Sequence, residues 1–318
     1  MIQSLNLVFC GTPQFAVPTL HKLVESGFKI HLVLTQPDRP KGRGLELVSS
    51  PVKKAAEQLG LPVYQPEKIK TNEDLRARLQ EIAPEAIIVA GYGRIIPSWM
   101  LHLPKHGNIN LHASLLPKYR GAAPVQWAIA NGETVTGVTT MRLDEGLDTG
   151  DILLQKELAI AETDTAETLA PRLAAIGADL MVETLHGLDA GAIHPRKQDN
   201  TRASLAPLLK KEDGRIDFSR NAGEIYNRFR GFQPWPGAFT AFRGKGLNIG
   251  AMKPAGEHVP QAELLVKDNR LFAGCGEQSA IELLEVQPEG KKRIAARDFV
   301  HGYGPQPGEK LGDEHLRS

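Results

Sequence analysis

An open parallel α/β sheet followed by a small β-barrel or sandwich is the architecture this chain predicts. Three observations carry it. Strand-like and helix-like segments alternate through the first half. The segment Ala86 to Ala90 is apolar at every position, as a strand buried on both faces is. After Ile216 the pattern changes to short β-like runs punctuated by Gly, Asn and Asp.

In chain order, Leu5 to Cys10 is a buried strand pattern, and Val17 to Ser26 is a helix closed by Gly27. Lys29 to Thr35 is a second strand. Pro51 to Leu59 is a helix ending at Gly60, Pro62 to Tyr64 a short strand, and Asn72 to Ile82 a helix with Thr71 as its cap. Strands and helices in this alternation imply right-handed crossovers within one sheet. Thr165 to Leu188 is helical, with an apolar period through Leu169, Leu173, Ile176, Leu180 and Leu185. Ala192 to Ala206 shows no periodicity and is polar, as a linker is. A helix from Ala222 to Phe229 then precedes strands at Phe239–Phe242, Leu247–Ile249, Leu264–Lys267, Leu271–Ala273 and Ile281–Val286. The expected division is a domain over 1–190, a linker over 191–211 and a second domain over 212–318.

Composition narrows the function classes. With 318 residues, 41% hydrophobic and 24% charged, the chain reads as a soluble globular protein long enough for two domains. No apolar run is long enough to span a bilayer. Met1 to Val8 lacks the charged n-region and cleavage site of a signal peptide, so no membrane partner and a cytoplasmic location are expected. Cys10 and Cys275 are too far apart to suggest a disulfide scaffold and suit a reducing compartment. A net charge of +1 shows no wholesale attraction to nucleic acid, yet Asp38 to Lys54 and Ala190 to Lys211 are locally basic.

The chemistry concentrates in two stretches. Asn108-Ile109-Asn110-Leu111-His112 alternates polar and apolar residues like a half-buried strand, so Asn110 and His112 share one face. The run Ser114-Leu115-Leu116-Pro117-Lys118-Tyr119-Arg120-Gly121 follows at once, and Asp144 to Asp151 supplies a carboxylate. An amide donor beside an imidazole, with a carboxylate brought up by folding, suits attack of an amine on a carbonyl. Other chemistries fit less well. Gly11-Thr12-Pro13 lies where a phosphate turn would, but lacks the spaced glycines of a dinucleotide fingerprint. Lys41-Gly42-Arg43-Gly44 is a basic loop without phosphate-loop spacing. Pro104 interrupts the pair His102 and His106, and the acidic run does not match a calcium loop, so no metal is expected. No glycine-flanked serine elbow is present, and neither cysteine has a base nearby in sequence.

Along nearly its whole length the chain resembles the methionyl-tRNA formyltransferases. The resemblance is carried by Gly11-Thr12-Pro13-Gln14-Phe15-Ala16-Val17-Pro18, by Thr35 to Gly44, by Ser114 to Pro124, by Gly146 to Asp151 and by Pro234-Trp235-Pro236-Gly237. The Asn-x-His, Ser-Leu-Leu-Pro and Gly-Leu-Asp-Thr-Gly-Asp pieces are shared with the wider group of enzymes using 10-formyltetrahydrofolate. The resemblance implies a Rossmann-like catalytic domain of formyltransferase type with an OB-like barrel after it, and formyl transfer from 10-formyltetrahydrofolate to the amine of methionyl-initiator tRNA. It maps the catalytic residues onto Asn110, His112 and Asp148. It places folate on Ser114, Leu115, Leu116 and Pro117, with Arg94 and Ile96 in the stretch that lines the pterin pocket in related enzymes.

Because a basic loop can follow an RNA end without reading bases through a regular element, Lys41 and Arg43 are expected to touch the tRNA acceptor. Arg196, Lys197 and Lys210 are expected along its backbone. Trp235 reads as a packed corner of the second domain, with stacking on tRNA as the alternative. A monomer is expected. The competing readings are formylation of a small amine such as glycinamide ribonucleotide or an amino sugar, a folate- or RNA-binding module with idle catalytic residues, and a hydrolase releasing formate. The second domain favours tRNA.

Overall fold

The computed structural model describes residues 5–41 and 46–312. They divide into two compact units. The first runs to Pro124, resumes at Val135–Ala159 and ends with Ala170–Pro207; the second takes Val125–Thr134, Ile160–Leu169 and the chain from Leu208.

The first unit is built on β1 (Asn6–Gly11), α1 (Val17–Glu25), β2 (Lys29–Leu34), β3 (Arg39–Lys41), β4 (Glu46–Val48), α2 (Pro51–Gln58), β5 (Val63–Tyr64), α3 (Glu73–Ile82), β6 (Ala86–Ala90), α4 (Ser98–Leu101) and β7 (Asn108–His112). After α5 (Pro124–Ala130), β8 (Val135–Arg142) and β9 (Ile152–Ala159) complete its sheet, and α6 (Ala166–Asp189) follows. The strand order is β5-β2-β1-β6-β7-β8-β9. Neighbours from β5 to β7 pair in parallel, whereas β8 runs antiparallel to both β7 and β9. The all-apolar β6 lies in the interior of the sheet with every residue buried, which is why its sequence shows no alternation.

Local chemistry sets the helix ends. Pro51 opens α2, where a missing N–H has no helical partner to lose, and Ser50 accepts from Lys53 N at 3.0 Å. At α3 the cap is Asn72, not the expected Thr71: its side chain accepts from Leu75 N at 2.8 Å. Such a cap stabilises a helix by about 0.5–2 kcal/mol.

Sequence also missed the β3–β4 hairpin and the antiparallel β8–β9 pair. The hairpin strands have three residues each, too few to set up a period. β8 is buried at six consecutive positions, from Thr136 to Met141, so it too lacks alternation. The expected linker differs as well. Its residues as far as Pro207 belong to the first unit. Arg196 exchanges main-chain hydrogen bonds with Ile152 at 2.8 and 2.9 Å, and Arg120 donates to Ser204 O at 2.8 Å while accepting from Ala206 N at 2.7 Å. Polar main-chain pairing of this kind leaves no apolar pattern to read.

The second unit adds α7 (Ala222–Gly231), β10 (Ala238–Phe242), β11 (Lys245–Ala255), β12 (Leu264–Lys267), β13 (Arg270–Gly274), β14 (Ala280–Pro288), β15 (Ile294–Ala295) and α8 (Ala296–Tyr303). Its antiparallel order is β10-β11-β14-β13-β12, with β15 on β14. Residues 309–312 close it. Leu264 N donates to Glu309 O at 2.7 Å, Leu311 N to Ala262 O at 2.8 Å and Gly312 N to Ala241 O at 2.9 Å, joining the β12 side to the β10 side. Inside lie Leu271, Ile281, Leu283, Val286 and Phe299, and the Phe299 ring stacks on Tyr303 at 4.6 Å.

α7 starts with a reciprocal cap between Asn221 and Glu224. From its last turn, buried Arg230 donates to Asp164 O at 2.7 Å. Glu282, buried on β14, receives both Arg270 nitrogens at 2.8 and 2.6 Å, and these contacts hold its carboxyl below the usual range. Trp235 is not a packed corner; it is 54% exposed.

Candidate active site

The site grows from the strand β7. Asn108, its first residue, donates to Met100 O at 2.8 Å and Leu101 O at 3.1 Å, tying the strand to α4. Two residues on, Asn110 is 9% exposed, and its amide makes no side-chain hydrogen bond among the described residues. Two further on, buried His112 has Nε2 at 2.8 Å from Tyr119 O. A carbonyl can only accept, so this contact puts the proton on Nε2 and leaves the Nδ1 lone pair free. Nδ1 faces Asp148 Oδ2 at 3.7 Å, too long for a hydrogen bond, so the carboxylate attracts the ring only once Nδ1 carries a proton.

Asp148 stands on a loop, and its placement needs more parts. Its backbone is left-handed, with φ 51°, a conformation disfavoured for a residue with a Cβ. Its Oδ2 accepts from Gly121 N at 2.8 Å. Gly121 itself has φ 121°, and a Cβ there would stand 2.7 Å from Ala206 O, so glycine is required where this amide approaches the carboxylate. Asp144 braces the loop from within by accepting from Thr149 Oγ1 at 2.8 Å and Gly146 N at 3.0 Å. The structure therefore brings His112 and Asp148 together, and register places Asn110 on the same sheet face as His112.

The other expected site residues lie as follows. Ser114 is buried, and its hydroxyl donates to Lys118 O at 2.7 Å, closing the turn after β7. Leu116 packs with Met141 and Ile152, while Leu115 and Pro117 are partly accessible. Arg94 donates to Glu67 O. Ile96 is buried in the apolar cluster between the sheet and α3, and neighbouring Ile95 is 90% exposed. The backbone of Lys41 is the last residue of β3, and Arg43 lies outside the described residues. Arg196 donates to Gln155 Oε1 at 3.0 Å, while Lys197 and Lys210 are exposed. Both cysteines are buried, and burial raises their thiols, Cys275 to about 11, which makes them poor nucleophiles.

Sequence reasoning missed three supports. Thr139, paired with His112 across β7 and β8, donates to Ser114 O at 2.6 Å and accepts from Leu116 N at 3.2 Å and Gln155 Nε2 at 3.0 Å. It fixes the whole Ser114–Pro117 turn. Gln198 and Arg120 are the others. None of the three has a spacing signal, because each acts on atoms made close only by folding, backbone oxygens for Thr139 and Gln198 and side-chain amide oxygens for Arg120.

The formyl transferase family model matches residues 5–185, and the model for the formyl transferase C-terminal domain matches 208–304. The chain is 62% identical over 306 residues to a methionyl-tRNA formyltransferase of Koribacter versatilis, covering 96% of this chain and 98% of that protein. It is 59% identical to one from Acidobacterium capsulatum, covering 97% of this chain and 100% of that protein. In fold it is similar to an N-formyltransferase from Helicobacter canadensis, with a TM-score of 0.66 at 20% identity over 89% of this chain and 99% of that one. With identity of this order running through both units, the chain belongs to the methionyl-tRNA formyltransferase family.

Proposed function

We propose that this chain transfers the formyl group of 10-formyltetrahydrofolate to the α-amino group of methionine carried on initiator tRNA. The observation that carries this is the unbroken likeness to methionyl-tRNA formyltransferases through both the catalytic sheet and the second unit. An amino-sugar acceptor is disfavoured by identity rather than by architecture: a sugar 3N-formyltransferase shares the fold over 91% of this chain at 20% identity, against 62% and 59% for the methionyl-tRNA enzymes. The chain acts as a monomer in the cytoplasm, where charged tRNA and reduced folate meet. Among the described residues no helix is long and apolar enough to cross a membrane.

The folate supplies an activated formyl carbonyl and a nitrogen leaving group. Among the described residues Asn110 holds an amide donor without a side-chain hydrogen bond, as a donor for a developing oxyanion requires; one such donor is worth about 2.7–4 kcal/mol in a transition state. His112 takes the proton from the attacking amine on Nδ1 and returns it towards the departing nitrogen. The free α-amino group titrates near ~7.7–8.0, so part of it is already neutral at physiological pH. Asp148 stabilises the imidazolium. Nε2 stays bonded to Tyr119 O throughout, so the backbone, not the carboxylate, orients the ring. Leu115, Pro117, Arg94 and Ile96 border the folate, with Ser114 and Leu116 shaping the turn beneath it. Lys41 and Arg43 contact the acceptor end.

The test is incubation with 10-formyltetrahydrofolate and methionine-charged initiator tRNA, with glycinamide ribonucleotide in parallel. Formyl-methionyl-tRNA should form. Formylation of the ribonucleotide alone, or release of formate without an acceptor, overturns the assignment.

A further inference from the structure

We infer that Gln198 is a positioning residue for Asp148, and that Arg120 sets its orientation. The Gln198 Nε2 donates to Asp148 O at 2.8 Å and to Gly150 O at 2.7 Å, spanning the left-handed turn that carries the carboxylate. Its Oε1 accepts from Arg120 Nε at 3.0 Å and Nη2 at 2.8 Å. Arg120 is 7% exposed and also reaches Asn200 Oδ1 at 2.7 Å. The amide has one possible orientation. Both partners of its nitrogen are carbonyls, which only accept, and the partner of its oxygen is a guanidinium, which only donates.

The clamp acts where the site is weakest. The 3.7 Å gap between His112 and Asp148 is set by a loop whose central residue has an unfavourable backbone conformation. Two neighbouring carbonyls would repel each other, and the amide nitrogen between them turns that repulsion into attraction. Gly150 is needed for the same closeness, since a Cβ there would stand 1.9 Å from Arg142 O. Among the described residues Gln198 hydrogen-bonds Asp148 at its main-chain oxygen, so its effect on chemistry passes through the carboxylate.

This inference rests on the proposed roles of His112 and Asp148, and its test separates the two. Gln198→Met keeps length and packing but removes both polar atoms. Gln198→Glu places a carboxylate oxygen against two carbonyls. For Gln198→Met, kcat should fall about tenfold, the scale of one or two neutral hydrogen bonds. KM for both substrates should be unchanged, and Gln198→Glu should lose more.

In Asp148→Asn, adding Gln198→Met should cause no further loss, because the clamp then has no carboxylate to aim. Wild-type kcat in both single variants, or losses that multiply in the double variant, overturns the inference while leaving the formyl transfer standing. An Asp148→Asn enzyme with full activity overturns the roles beneath it. Circular dichroism of each variant checks folding. If Gln198→Met does not fold, Arg120→Lys, which keeps the charge but not the two-pronged contact, must reproduce the kcat loss for the inference to survive.

Discussion

His112 and Asp148 reach the same point by different means. His112 belongs to β7, where hydrogen bonds to β6 and β8 set its place and the pleat sets its direction. One further contact, to Tyr119 O, fixes the ring. Asp148 sits on a turn with φ 51° and depends on Gly121, Gln198 and the Asp144 brace for the same accuracy. A side chain on a strand takes its precision from the sheet; one on a loop takes it from specific side chains gathered from distant sequence.

This contrast can be broken at either end. The largest effect is expected on the strand. His112→Ala should lower kcat by roughly 10²–10⁴-fold with little change in unfolding temperature, since acid–base help is of that order. Asn110→Ala should lower kcat by about 10²–10³-fold with folate affinity retained; lost affinity at intact turnover would remove its oxyanion role.

Gly121→Ala addresses the loop. It should reduce both kcat, by about tenfold, and thermal stability, because a Cβ at this φ meets Ala206 O and displaces the amide that holds Asp148. If stability falls while kcat holds, Asp148 does not depend on that amide. Arg43→Ala should raise KM for charged tRNA without changing kcat, and the wild-type KM should itself rise with salt.

The smallest effect on catalysis is expected from Glu282→Gln in the second unit. Its carboxyl is held low by Arg270 and Lys253, so its stabilisation is complete at neutral pH and fades as pH falls below the ordinary carboxylate range, about 4.3. The difference in unfolding temperature between wild type and variant should therefore shrink on acidification. A difference independent of pH would mean that packing, not charge, is what Gln disturbs.

The sequence exposed whatever repeats along the chain. β6, α1 and α2 were legible because burial on two faces, or on one helical stripe, leaves a local pattern, and β12 was legible in full. The pairing of Asn110 with His112 on one face followed from the period of a strand. Thr139, Arg120 and Gln198 were not legible, since their partners, backbone oxygens for Thr139 and Gln198 and a side-chain amide for Arg120, are 25 to 80 residues away. The stretch 192–207 carries no period for the same reason: it lies between the two family matches and pairs through its main chain with the first unit.

The seam at residues 309–312 governs how this protein behaves when shortened. Removing it would strip main-chain partners from Ala241, Ala262 and Leu264, exposing two raw strand borders at once. Such borders recruit other chains. A version ending at Gly308 should thus form oligomers or precipitate even with its catalytic residues untouched, and affinity handles are better attached beyond Gly312 than in place of that short stretch.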